Sequence, residues 1–363
     1  MKSGHKEKEL NHFFIRVVNR FLGNRKRTQR VEQTGYIKIK KVNFPDRHFR
    51  QYIKENFDKD GDGILSSDEI NSITRINLYY TEKTSNLKGM EYFPNLTYLA
   101  CGGESITSLD VSENKELKEL FFPKTDIISL DVSKNTVLET LFCLGSKIKK
   151  LDISQNQKLK RLECSYTGIT ELDLSQNIEL DKLSCYKTEI TELDISNNKK
   201  LEYLGCSCTG IKELDISQNN KLEVLHCSGT GIKELDVSQN KELHTLWCND
   251  TGVASLDLSQ NQKLVDLDIQ DTNLSWLHIG ENPNLSIEKS ESTIDLGSIG
   301  KTFNIEEVFP GIDPSRITSI NGATLDKEKG IVSGYVNGST IKYTYDCGTS
   351  KNGTESLDVT LTL

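Results

Sequence analysis

The sequence predicts a leucine-rich repeat solenoid. The expected fold is a β-rich stack of 21-residue units built from nested half-repeats, with a small helical EF-hand-like N-terminal cap and a small all-β C-terminal domain. Three observations predict it. From Asn95 to Pro283 the chain divides into nine consecutive units of equal length, with no insertion or deletion. Within a unit, as in KLKRLECSYTGITELDLSQNI at 158–178, Leu-x-x-Leu-x-Cys-x-x-Thr-x-Ile precedes x-x-Leu-Asp-Leu-x-x-Asn, which repeats the apolar spacing. The period is flanked by FDKDGDGILSSDEI, with metal-loop spacing, and after Ile287 by strand-like alternation around turns. The expected divisions are a basic amphipathic segment and linker at 1–42, the cap and entry at 43–94, the solenoid at 95–286 and the β domain at 287–363.

A unit of this length cannot bury its own apolar edge, so the coils must stack to make a core. With strands about 4.8 Å apart, nine coils form a rod about 45 Å long. The cysteine of each unit (Cys101, Cys143, Cys164, Cys185, Cys206, Cys227, Cys248) takes an apolar position that Phe122 and Ile269 fill in other units. A nucleophile or metal ligand does not exchange with Phe and Ile, so these thiols are expected to fill core. Cys208 and Cys347 fall outside this column. Zinc needs paired short spacings, and Cys206-x-Cys208 has no second pair.

Two polar columns accompany the core. Asn114 and its equivalents, one per unit as far as Asn282, are expected to satisfy backbone groups of adjacent coils. Asp110 and its equivalents to Asp257 stack like charges, which at about 5 Å repel by about 0.8 kcal/mol in water. Hydrogen bonds from the serine two residues on are expected to offset this, in preference to a row of bound cations.

The residue before each core cysteine varies most, and it alternates with buried leucine and cysteine, so it faces outward on a strand. This face and its neighbours carry Tyr98, Phe121, Phe142, Arg161, Tyr186, Tyr203, His226 and Trp247. Exposed aromatic and arginine side chains anchor interfaces, so a protein or glycan ligand is expected here.

In FDKDGDGILSSDEI, the pattern Asp-x-Asp-x-Asp-Gly-x5-Glu runs from Asp58 to Glu69. Asp58, Asp60 and Asp62 would supply side-chain oxygens, Ile64 its carbonyl, Ser66 a held water and Glu69 a bidentate carboxylate, making Ca2+ the expected cofactor. Gly63 permits the sharp turn. Phe49, Tyr52, Ile53 and Phe57 form one apolar helical face before the loop, and Ser66 to Glu69 reads as a capping box starting the next helix. A lone loop of this kind suits a weak structural clamp at extracellular calcium concentrations.

Composition narrows the function classes. With 27% charged and 35% hydrophobic residues the chain reads as soluble, and no apolar run approaches the roughly 20 residues of a transmembrane helix. Residues 1–50 hold 14 Lys/Arg against four Asp/Glu, and the remainder holds 31 against 49. The body lacks the basic footprint that nucleic acid requires. Leu10, Phe13, Phe14, Val17, Val18, Phe21 and Leu22 align on one helical face, so residues 7–22 could contact a membrane surface, or dock on the neighbouring domain. No ordinary secretory signal is recognisable, because FFIRVVNRFLG is interrupted by Arg16, Asn19 and Arg20.

Together, FPDRHFRQYIKENFDKDGDGILSSDEI, LKGMEYFPNLTYL, the LxxLxCxxTxIxxLDxSxN units and YTYDCGTSKNG resemble bacterial cell-surface leucine-rich repeat proteins of internalin-like type, over residues 43–363. The resemblance implies a secreted or wall-attached recognition scaffold, without enzymatic activity and active in adhesion. No wall-sorting motif accompanies it. Two rivals remain: an effector enzyme acting through Cys347, in a tail short for a catalytic domain, and a purely structural surface spacer. Cytoplasmic residence is the alternative to the cell surface.

Overall fold

The structure, a computed structural model, describes residues 35–79, 84–103, 105–297 and 299–363. The amphipathic stretch at 7–22 lies outside the described residues. At the centre is one parallel sheet of eleven strands, running from Arg75–Asn77 through Tyr98–Ala100, Lys182–Ser184 and Thr245–Trp247 to Ser286–Lys289. Most strands are three residues long, and the middle residue is the buried leucine. Leu162, Leu183 and Leu204 sit in register on adjacent strands, so the leucine column is a consequence of the constant period. The sheet also gains a strand at each end of the nine units, because Ile76 pairs with Leu99 and Ile287 with Leu267.

The cysteines form a second apolar column beside the leucines, and Cys101, Cys143, Cys164, Cys185, Cys206, Cys227 and Cys248 are fully buried, as expected of core filling. Behind them the buried Thr167, Thr188, Thr209, Thr230, Thr251 and Thr272 donate Oγ1 hydrogen bonds of 2.6–2.8 Å to the carbonyl three residues back. This local bond closes the turn that leaves each strand. Two residues after each core cysteine or its equivalent φ turns positive, at Gly103, Lys124, Gly145, Tyr166, Lys187, Cys208, Gly229, Asp250 and Asp271. Cys208 is thus an exposed turn residue, which separates it from the buried column.

The second half-repeat buries its apolar residues but forms little strand: among the described residues Ser255–Asp257 and Trp276–His278 pair with each other, and Gly280–Glu281 pairs with the C-terminal domain. The aspartate column explains the curl. Each Asp Oδ1, from Asp110 to Asp257, accepts the backbone N–H two residues on at 2.9–3.0 Å. Such an Asx turn bends the chain away from extended pairing. The serine hydrogen bonds also hold the carboxyls of Asp131, Asp152, Asp173, Asp194 and Asp215 below their ordinary range, in Asp152, Asp173 and Asp215 against repulsion from a neighbouring aspartate. Past the turn the buried asparagines bind the coils together. From Asn135 to Asn261, each Nδ2 donates to two carbonyls of the preceding coil at 2.8–3.2 Å.

Both ends are covered. Helix α1, Arg47–Phe57, starts at Asp46, whose Oδ1 accepts from His48 and Phe49 N–H at 2.8 Å, and it buries Phe49 and Ile53. Phe44 packs against Phe49, Tyr92 and Phe93 with ring centroids 5.9, 5.8 and 6.1 Å away, joining cap to first coil. Helix α2, Ser67–Ser72, begins with the capping box of Ser66 and Glu69. At the other end the hairpin Thr340–Ser350 and Gly353–Thr362 lies against the last coil. There Ile279 N–H donates to Cys347 O at 2.8 Å and Tyr343 Oη to Ser275 O at 2.7 Å. The domain around this hairpin is predominantly β, with an α-helical turn at Ile305–Val308 and a 3-10 turn at Pro314–Arg316.

Candidate functional site

The strand face is built by alternation. Tyr98, Arg161 and Tyr203 occupy the first position of their strands, and Phe121, Phe142, His226 and Trp247 the third, each beside a buried leucine. Their side chains do not stand alone. Tyr98 meets Phe121 at 5.4 Å between ring centroids, and Phe121 meets Phe142 at 5.8 Å. These phenylalanines are therefore half-covered by one another, less exposed than alternation alone implies. A second cluster begins at Tyr203, which packs edge-on to His226 at 5.5 Å, and His226 stacks on Trp247 at 4.0 Å with planes 7° apart. Burial lowers the His226 pKa, opposed by the charge of Asp266, so the ring favours its neutral form. Arg161 stands between the two clusters, beside Lys182 in register with it.

Tyr186 sits elsewhere. Its strand is Lys182–Ser184, and the tyrosine lies two residues further on, in the turn at the sheet edge. There it packs against Tyr166 at 5.1 Å, with Lys187 Nζ 5.4 Å from each ring. Simple alternation fails at this point because the left-handed residue at 187 ends the strand's pleat. Two participants escaped the sequence reading: Arg75, whose guanidinium carbon lies 3.7 Å from the Tyr98 ring centroid, and Asp266, which accepts from Trp247 Nε1 at 2.9 Å. Arg75 precedes the first unit, so the period that marked the other positions does not reach it.

In the acidic loop, Asp58, Asp60 and Glu69 bring carboxylate oxygens within 4.8 Å of one another. Asp58 Oδ2 accepts from Gly63 N–H at 3.1 Å, while its buried Oδ1 has no hydrogen-bond partner. Glu69 is oriented by the backbone N–H of Lys59 (2.7 Å) and Ser66 (2.8 Å) and by Ser66 Oγ (2.8 Å). The Ser66 backbone bond is the largest cause holding the Glu69 carboxyl below its usual range. An orphaned buried acceptor beside two further carboxylates fits a hard oxygen-seeking cation. Asp62 stands outside this trio, its Oδ1 occupied by the Ile64 N–H at 2.7 Å, and Ser66 serves as the helix cap. The loop strand Ile64–Ser66 pairs antiparallel with Tyr36–Lys38, which supplies the partner that a second loop would give in a paired arrangement.

Eight of the nine cysteines are buried, and Cys208 is exposed. Burial pushes the thiols of Cys101, Cys143, Cys206 and Cys248 up to about 12, and that of Cys347, fully buried under the end hairpin, to about 12 as well. Brief alkylation under native conditions is expected to modify one thiol per chain, Cys208, as read by peptide mass spectrometry. Faster modification of Cys347 would revive its candidacy as a nucleophile.

Fold and site together define a capped leucine-rich repeat protein with a variable, aromatic strand face. The sequence matches no protein-family model and no curated protein. Among solved structures, it is similar to InlP of Listeria monocytogenes, at 17% identity over 90% of this chain and 98% of that one, with a TM-score of 0.53. It is also similar to a leucine-rich repeat protein of Leptospira interrogans, at 22% identity over 57% of this chain and 56% of the other, with a TM-score of 0.52. The functional domain of InlJ from Listeria monocytogenes, which includes a cysteine ladder, aligns at 24% identity over 90% of this chain and 98% of that domain, with a TM-score of 0.37. The first two likenesses establish the fold alone. Among the described residues no helix is long and apolar enough to cross a membrane.

Proposed function

We propose that the chain is a non-catalytic recognition scaffold which binds a protein or glycan through the strand face, at the bacterial cell surface or outside the cell. The observation that carries this reading is the contrast between the two halves of each coil. The second half repeats Leu-Asp with little change, whereas the strand face varies from coil to coil and gathers Tyr98, Phe121, Phe142, Tyr203, His226 and Trp247 into two clusters. A spacer requires only the constant parts. Pre-packed aromatic side chains lose little rotamer freedom on binding and so suit an anchor role. Replacing Phe121, Phe142 and Trp247 together by Ala is expected to weaken binding to a panel of cell-surface proteins and glycans at least about tenfold. The thermal midpoint should change little. Binding that survives the triple substitution rejects the proposal in favour of a spacer.

In the same proposal the acidic loop holds Ca2+ through Asp58, Asp60 and Glu69, with Asp62, the Ile64 carbonyl and a water on Ser66 completing the shell after a local rearrangement. The ion would tie α1 to α2 and stiffen the cap; it has no chemical step to perform. Binding is expected at Kd of about 10⁻⁴ to 10⁻³ M. Calorimetry should detect it in the wild-type chain and find none after Asp58→Ala with Glu69→Ala. The absence of heat at millimolar Ca2+ would refute the site.

A further inference from the structure

We infer that the C-terminal third of the strand face accepts an arginine- or lysine-bearing polypeptide segment, an inference that rests on the recognition reading above. The face is electrostatically uneven. At its start the chain supplies its own cation, with Arg75 over Tyr98, and the aromatic run continues to Phe121 and Phe142. Its middle carries Arg161 and Lys182. The far run, Tyr203 to His226 to Trp247, ends on carboxylates. Trp247 donates to Asp266, Asp268 lies in register with Trp247 on the next strand, and Glu288 lies in register with Asp268 on the one after.

Among the described residues no lysine or arginine pairs with them, and the one basic neighbour whose charge state Asp266 influences, His226, favours its neutral form. The outward positions of the strands Tyr203–Gly205, Val224–His226, Thr245–Trp247 and Asp266–Ile269 contain no lysine or arginine. Among the described residues, Asp266, Asp268 and Glu288 form no ion pair, and the nearby Lys289 and Lys263 are committed to Glu355 and Glu242. Trp247 retains 39% of its surface, the most exposed aromatic on this face. An exposed indole bonded to Asp266, with Asp268 on the next strand and Glu288, which accepts from Gln270 Nε2 at 2.7 Å, on the strand after, is complementary to a guanidinium or ammonium group. The contact between Arg75 and Tyr98 at the opposite end is the same chemistry made internally. An anionic ligand would be repelled here.

The test uses the full chain and a fluorescent peptide carrying two arginines in a Gly/Ser background, with its citrulline counterpart as the uncharged control. The arginine peptide is expected to bind about tenfold more tightly than the citrulline one, with affinity falling as salt rises. Asp268→Asn with Glu288→Gln, and separately Trp247→Ala, should each remove most of that difference. Asp152→Asn with Asp173→Asn, an equal charge change on the other half of the coil, should leave it intact. Equal affinity for the two peptides, an unchanged difference in the Asp268/Glu288 variant, or tighter binding of a neutral oligosaccharide at the same site overturns the inference. If the triple aromatic variant loses surface binding while the charge variant keeps it, the recognition reading stands and only this inference falls.

Discussion

Replacing Leu183 by Ala is expected to destabilise the chain by about 2 to 5 kcal/mol and to divide its unfolding into two transitions. Leu183 is fully buried, in register with Leu162 on one side and Leu204 on the other. Truncation leaves a cavity between coils that are otherwise filled by identical side chains. A globular core can partly relax around such a void. Here each coil touches only its neighbours, so the defect weakens the single interface through which the two halves of the solenoid communicate. Urea unfolding followed by circular dichroism, with amide exchange to assign each half, measures both effects. A single transition at an unchanged midpoint would contradict the stacked-coil account of stability.

The second large effect is expected at Gly348. Its φ is +113°, and a Cβ built there falls 2.3 Å from Gly280 O. Glycine is required by both the left-handed conformation and the backbone approach, since the strands Gly280–Glu281 and Thr340–Ser350 run side by side at this point. Gly348→Ala should pry them apart, breaking the hydrogen bonds from Ile279 N–H to Cys347 O and from Asn282 N–H to Thr349 O, each 2.8 Å. A left-handed non-glycine residue costs about 1 to 3 kcal/mol, and each lost bond adds about 1 kcal/mol. The last coil would then expose Leu277 and Ile279, both fully buried now. Faster amide exchange at Ile279 and Asn282 is the predicted signature. Gly353→Ala is the control, because its φ is +107° but no atom lies within 4 Å of the added carbon. Equal effects from the two substitutions would show that strain alone, without cap detachment, is responsible.

Much of this architecture was legible because repetition is itself a measurement. Phe122 and Ile269 in the cysteine column identified that position as interior, and each residue of the column is buried. The asparagine and aspartate columns could be assigned to backbone satisfaction because an offset kept constant from unit to unit places the same group beside the same carbonyl or N–H. The threonine column is nearly as regular, broken only by Glu104 and Ser146, but its spacing does not disclose that Thr167 and Thr188 close the turn through the carbonyl three residues back. The acidic loop announced its carboxylates, yet spacing did not reveal that Asp62 would be held by Ile64 N–H or that Tyr36–Lys38 would serve as the loop strand's partner.

What the sequence by itself determined was everything periodic: the coil, its inward and outward positions, and the columns that bind one turn to the next. Periodicity suffices there because each of those contacts joins residues at a constant separation. Only the tertiary structure decided how the outward side chains use one another, with Arg75 laid over Tyr98, Tyr186 turned to the sheet edge, and Trp247 ending a stack against Asp266. Those contacts depend on lateral register, on the left-handed turn after each cysteine and on side-chain reach. Register and turn repeat with the period, but which side chains meet does not, because the outward residues differ from unit to unit, and that variability hides the geometry of the face from a linear reading.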